Sequence, residues 1–376
     1  MTEDTIPESD RIEGAPHPRE TPHLLGQGSA ESQFLDSYRT ARLHHAWLIS
    51  GPRGVGKATL AWKIARFLLS ETGESGDMFG TPALPDTLET SDKTPLAQRL
   101  LALSEPRLFL LRRPYDAKTE RLKQQITVDE TRKLKSFFNL SAADGGRRVV
   151  IIDAVDEMNQ NAANALLKLL EEPPEGAVLL LISHQPSRLL ATIRSRCREL
   201  RCHPLNPADL AQALQNAGVT GERSDAPALA ALAGGSVGEA LRLTNLAGQE
   251  TYQEILDLFS SRPDLDRARA LSLAESAAGR GAAARFELLL HLLDLFLIRL
   301  ARTGASGPPL IEAGKGEAEL LLRMAPGPNA GRLWAETQQL LGARAQHGRA
   351  VNLDPAALIL DMVLRIDRTA AKCAAC

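Results

Sequence analysis

Residues 46–59, Ala-Trp-Leu-Ile-Ser-Gly-Pro-Arg-Gly-Val-Gly-Lys-Ala-Thr, limit the possible folds of this chain more than any other stretch. They read as a buried strand, a glycine-rich turn and a helix start, and they fit G-x-x-x-x-G-K through Gly51, Gly56 and Lys57. Such a turn lets backbone N–H groups converge on phosphate oxygens, and the helix dipole adds positive potential there. Lys57 supplies a point charge for terminal phosphates. Ala58 stands where Ser or Thr would hold Mg²⁺, and Thr59 lies one residue, roughly 100° of helix, from that direction. The expected nucleotide loop is therefore Gly51, Gly54, Val55, Gly56, Lys57, Ala58 and Thr59. It suits ATP or ADP, with Mg²⁺ held weakly if at all.

Further apolar runs at 108–111, 148–153 and 178–183 alternate with amphipathic helical patterns such as Leu60–Leu69. That alternation predicts an α/β module, a parallel sheet with helices on both faces. The run Arg148–Asp153 ends in a carboxylate suited to the metal side of a nucleotide site, and Ser183 ends the run at 178–183. Ala154 follows Asp153 where a general base would be needed. Losing general-base assistance costs ~3–5 kcal/mol of transition-state stabilisation. Moving the acidic pair to Asp156-Glu157 would put Asp153 inside the strand, so that alternative is rejected. After Pro204 the strands stop and only helical patterns continue, with breaks near 303–309 and 325–331.

A length of 376 residues fits two or three domains. The expected boundaries are a disordered Pro/Glu/Asp-rich arm at 1–20, the nucleotide-binding module at 21–205, a helical lid at 206–262 and an all-helical domain at 263–376. A formal net charge of −2 excludes coating of nucleic acid by bulk positive charge. The acidic N-terminus has no apolar signal region, which points to the cytoplasm. The most apolar run, Phe286–Leu300, carries Glu287, His291, Asp294 and Arg299, so it is a buried helix and no membrane span. Cys373 and Cys376 form one C-x-x-C without a second pair, and no metal site is expected. The basic cluster Arg112, Arg113, Lys118, Arg121 and Lys123 reads by default as solvated loop charge.

Three signatures follow Asp153 in order: Asn161-Ala-Ala-Asn-Ala-Leu-Leu-Lys-Leu-Leu-Glu-Glu-Pro-Pro174, the strand ending in Ser183-His184, and Ser195-Arg-Cys197. With them the chain resembles the AAA+ subunits of bacterial sliding-clamp loaders, which belong to the DNA polymerase III holoenzyme and act in DNA replication. The likeness is strong over roughly residues 18–245. It implies an AAA+ module, a lid and a collar domain. The implied partners are motor subunits of gamma/tau type, a clamp-opening subunit of delta type and, through the complex, the sliding clamp and primer-template DNA. It also implies that Arg196 is an arginine finger placed in a neighbour's ATP site, where a guanidinium fork can span phosphate oxygens. Asn161 and Asn164 are implied template contacts.

Departures from the family pattern set the expected role. Ala58 and Ala154 lack the metal-holding and water-orienting groups, and Gly238 stands where motor subunits carry a phosphate-binding arginine. Residues 58–152 contain no cysteine, so the four-cysteine zinc module of many members is absent and the Gly/Ser-rich loop at 71–95 takes its place. The expectation is a non-hydrolysing accessory subunit without zinc. The alternative is an active motor ATPase. No carboxylate set for nucleotidyl transfer appears, so any polymerase activity belongs to the holoenzyme.

Overall fold

The computed structural model describes residues 7–12, 15–21, 23–40, 42–70, 85–139, 146–218, 226–279 and 281–374. The chain divides into two compact units, Met1–Gly218 with Gly235–Gly238, and Val219–Gly234 with Glu239–Cys376. The first contains a sheet and the second is helical among its described residues.

Before the sheet comes α1 (Gly28–Arg39). The sheet is formed by β1 (Ala46–Ser50), β2 (Leu108–Arg112), β5 (Arg148–Asp153), β6 (Ala177–Ser183) and β7 (Arg198–Arg201), in the order β2-β5-β6-β1-β7. All pairings are parallel. Every residue of β1 and β6 is buried, as strands covered on both faces require. On one face Leu48, Val150, Ile152, Leu179 and Leu181 pack with Leu134 and Phe137 of α4 (Val128–Asn139) and with Leu166, Leu169 and Leu170 of α5 (Gln160–Glu171). Alternate strand residues face the other way, where α2 (Lys57–Ser70) contacts β1, β5 and β6. The four apolar runs read from the sequence are thus β1, β2, β5 and β6. The strand β7 escaped that reading because Arg-Glu-Leu-Arg buries only Leu200 at the sheet edge.

Local chemistry sets the helix ends. The Asn159 side chain accepts from Ala162 N at 2.9 Å to start α5, and Pro173-Pro174 prevents its continuation. After β1, α2 begins directly from the glycine loop. The remaining elements of this unit are α3 (Pro95–Leu101), the small hairpin β3 (Tyr115–Asp116) and β4 (Arg121–Leu122), α6 (Ala191–Arg194) and α7 (Pro207–Asn216). Of the loop expected at 71–95, residues 71–84 lie outside the described residues, and 85–94 contain no helix or strand.

Two boundary expectations need correction. Residues 7–12 and 15–20, read as part of a disordered arm, are placed against the sheet unit: the His17 ring is fully buried, edge-on to Trp62 at 6.2 Å. The segment carries acids that meet the half-buried Arg19 and Arg112 and the buried His17, which its composition alone did not reveal. The segment expected as a lid, 206–262, is divided between the two units. Its first helix, α7, and residues 235–238 belong to the sheet unit, because Leu205 N donates to Gly235 O at 2.8 Å and Gly238 N to Gly54 O at 3.1 Å.

The second unit contains α8 (Ala226–Ala233), most of α9 (Val237–Asn245), α10 (Gly248–Ser260), α11 (Arg267–Glu275), α12 (Ala283–Ser306), α13 (Glu317–Met324), α14 (Pro328–Ala350) and α15 (Pro355–Ala374). The apolar run at 286–300 is the core of α12, with Leu288, Leu289, Leu292, Leu293, Phe296, Leu297 and Leu300 all fully buried. A Cβ on Gly304 would meet Gly331 Cα at 2.5 Å, so α12 and α14 cross in backbone contact. Under that crossing, Glu317 is fully buried and accepts from Tyr252 Oη at 2.7 Å and Arg299 Nη2 at 2.8 Å.

Candidate functional site

The glycine loop is held by its carbonyls. Lys57 Nζ donates to Gly51 O at 2.9 Å and to Pro52 O. Ser236 Oγ donates to Arg53 O at 2.8 Å, Gly238 N to Gly54 O at 3.1 Å, and Gln27 Nε2 to Val55 O at 3.0 Å. Five consecutive carbonyls, 51 to 55, are thereby fixed by the protein itself. Gly54 has φ +76°, and a Cβ there would come within 2.9 Å of Gly238 Cα, so glycine is required twice over. Burial of Lys57 pushes its ammonium down to about 8.

The carboxyl ends of the strands supply the other wall, the usual ligand side of a parallel sheet. Asp153 ends β5 in register with Arg112 of β2 and Ile182 of β6. Burial, then the carboxylates of Asp10 and Glu157, push Asp153 up to about 7. Ala154 is buried at 2% exposure and offers no group to a water. Ser183 Oγ donates to Asp156 Oδ1 at 2.8 Å, and His184 N donates to Asp156 Oδ2. Asp156 therefore organises the polar strand end, a role its sequence position did not announce. Burial, then Lys57 and Arg53, hold His184 down to about 3, so its ring is neutral.

The basic cluster differs from the solvated charge expected. Arg112 Nη2 lies 2.8 Å from Glu8 Oε1 and Arg112 Nη1 pairs with Asp10, while Arg113 Nε lies 2.7 Å from Glu157 Oε2. Arg53 reaches the same Glu157 at 3.4 Å. These two arginines of the cluster are structural partners of acids around the site, and Glu8 and Asp10 were the acids missing from the sequence reading. Asn161 and Asn164 are exposed on α5.

Arg196 stands apart from this set. It precedes β7, in which Arg198 is in register with Trp47 and Arg201 with Ser50. The loop begins just after Ser50, beside Arg201, so Arg196, in the turn that precedes Arg198, lies at the opposite end of the strand. Its guanidinium is turned to α5, with Nη2 2.9 Å from Glu171 Oε1 and Nη1 donating to Thr192 O at 3.0 Å. Its partner is the first glutamate of Glu171-Glu-Pro-Pro.

The loop motif implies a nucleotide, and the residues present do not fit one in this arrangement. Two of the three Lys57 N–H donors are on loop carbonyls, the backbone of 236–238 lies on Arg53 and Gly54, and Arg112 is already paired with acids. The missing hydroxyl at Ala58 leaves Mg²⁺ without its loop anchor. Among the described residues no group of three or more His, Cys, Asp or Glu could hold a metal ion. Cys373 is buried, and Cys376 lies outside the described residues. Burial pushes the thiols of Cys197 and Cys202 up to about 12 and 11, so both are unreactive at neutral pH. Among the described residues no helix is long and apolar enough to cross a membrane.

A parallel β2-β5-β6-β1-β7 sheet, a glycine loop after β1 and an acid ending β5 define an AAA+ type module, followed here by a helical region. Comparison with known proteins narrows this. A family model described as DNA polymerase III, delta subunit, matches residues 26–206. The DNA polymerase III subunit delta' of Escherichia coli is 30% identical over 338 residues, covering 89% of this chain and 92% of that protein. The chain belongs to the delta' subunit family of DNA polymerase III. The delta' subunit of Pseudomonas aeruginosa is 38% identical over 214 residues, 57% of this chain and 60% of its own length. Subunit tau of Escherichia coli is 29% identical over 322 residues, covering 80% of this chain and 46% of tau. The chain thus spans less than two thirds of the Pseudomonas and tau relatives.

Proposed function

We propose that this chain is a non-hydrolysing subunit of the sliding-clamp loader that lends Arg196 to the ATP site of a neighbouring gamma/tau-type motor subunit. A delta-type clamp-opening subunit is the other proposed neighbour, and contact with the sliding clamp and primer-template DNA is through the complex. The observation that carries the reading is the register of β7, which puts Arg196 at the far end of the sheet from Lys57 and Asp153. A side chain this far from its own loop has no catalytic work there, which favours a role on another chain. Glu171 holds the guanidinium near the surface until a stronger anion, a phosphate, is offered by that chain. The alternative of an active motor is opposed by Ala58, the buried Ala154 and Gly238.

The test is a reconstituted loader carrying Arg196→Ala. Normal subunit stoichiometry with impaired DNA-stimulated ATP hydrolysis and clamp loading is expected; a finger is worth ~10³–10⁵ at the site it serves in GTPases. Arg196→Lys should rescue poorly, because an ammonium cannot make the bidentate contact. Wild-type hydrolysis by the Arg196→Ala complex would leave this subunit a purely architectural part.

A further inference from the structure

Residues 8–12 and His17 occupy the region where strand ends and glycine loop converge. Glu8 accepts from Arg112 and, at 2.9 Å, from Arg19 Nη1. The buried Asp10 carboxylate lies between Arg112 and His17, with Oδ2 3.2 Å from Nε2 of the ring. Arg112 is the register neighbour of Asp153, so this acidic pair sits beside the carboxyl end of β5. Two residues on, Ile12 reaches the lid-side backbone: a Cβ on Gly238 would meet Ile12 Cδ1 at 2.7 Å and Gly54 Cα at 3.0 Å. Leu24 closes the other flank, with its Cδ1 2.8 Å from where a Cβ on Gly56 would lie.

The charges around the loop are already matched. Lys57 is bound to carbonyls, Arg53 and Arg113 to Glu157, and Arg112 to Glu8 and Asp10. A triphosphate entering here would have to displace Glu8, Asp10 and Glu157 from the arginines they already hold. Such a site repels the ligand that its loop motif suggests.

We propose that residues 8–12 with His17 are an internal occupant of this pocket, whose Glu8 and Asp10 carboxylates take the place of a nucleoside triphosphate and keep the loop closed to it. The loop glycines then serve backbone packing against residues 236–238. The chain carries a permanently filled nucleotide pocket, independent of whether Arg196 acts in trans.

The experiment is calorimetric titration of ATP, with and without Mg²⁺, into the full-length wild-type chain and into Glu8→Gln/Asp10→Asn, a nearly isosteric change that removes both charges. The wild type should show no heat of binding at ~1 mM ATP (a Kd of 1 mM corresponds to about −4.1 kcal/mol). The double variant should gain at least tenfold in affinity and be cleaved faster by trypsin after Arg11. Equal binding by both proteins overturns the proposal, as does a folded double variant that binds no ATP. Hydrogen exchange on the wild type gives a check that needs no variant. The amide of Arg11, which donates to Glu8 O at 3.2 Å, should exchange at an unchanged rate at ~1 mM ATP, and ATP bound with that rate unchanged would also overturn it.

Discussion

Gly238 lies backbone to backbone on Gly54: its N–H donates to Gly54 O at 3.1 Å, and a Cβ on either residue would fall within about 3 Å of the other's Cα. With no side chain on either residue, the two backbones close directly on each other. Gly238→Ala should destabilise the sheet unit by ~1–3 kcal/mol through overpacking, and Gly238→Arg by more. Thermal unfolding of both variants checks this. A Gly238→Arg protein of wild-type stability that gained ATP binding would mean that the contact is dispensable.

The isolated chain should not hydrolyse ATP, and restoring the missing groups should not start it. Ala154 is buried, so Ala154→Glu places a carboxylate where water cannot reach it and should lower stability. Phosphate release by the wild type and by Ala58→Thr/Ala154→Glu should match buffer. Turnover near ~1 s⁻¹, an ordinary enzymatic rate, in either protein contradicts this account.

His184 should give the fold a dependence on acid. Its ring is held to about 3 by burial, with Lys57 and Arg53 adding to the effect, while the unfolded chain titrates near the ordinary histidine value. The unfolded state therefore binds a proton that the folded state refuses. The contribution is harmless above pH ~6.5 and costs stability as pH falls, on the order of 2 kcal/mol at pH 5. Urea unfolding of His184→Asn at pH 5 and pH 7.5 should find the variant gaining on wild type as the pH drops. A difference that stays constant between the two pH values would mean that the folded chain binds a proton at His184 as readily as the unfolded chain.

In the helical unit the sensitive contact is Arg299 with Glu317. Glu317→Ala leaves a guanidinium that is 13% exposed without its acid and Tyr252 Oη without its acceptor. The expected loss is ~3–5 kcal/mol, as for one partner removed from a buried pair. Glu317→Leu/Arg299→Met should lose less than Glu317→Ala. Equal losses for the two would show that charge burial is not the cause.

The amino-acid sequence alone determined the four core strands, the glycine loop and the helix stopped by Pro173-Pro174. These follow from local patterns: continuous apolar runs, glycine spacing, prolines and single side-chain identities. The sequence did not disclose β7, whose Arg-Glu-Leu-Arg has no pattern of its own and becomes a strand only because Ser50 and its neighbours offer an edge. Nor did it disclose the pairing of Glu8 and Asp10 with Arg112, about a hundred residues away, since acidic residues in a Pro-rich segment look the same whether solvated or docked. The same holds for Arg196 on Glu171 and for Asp156 beneath Ser183 and His184. Charge pairing depends on distances of a few ångströms across separate elements, and only the packed sheet and the loops at its ends bring those groups together.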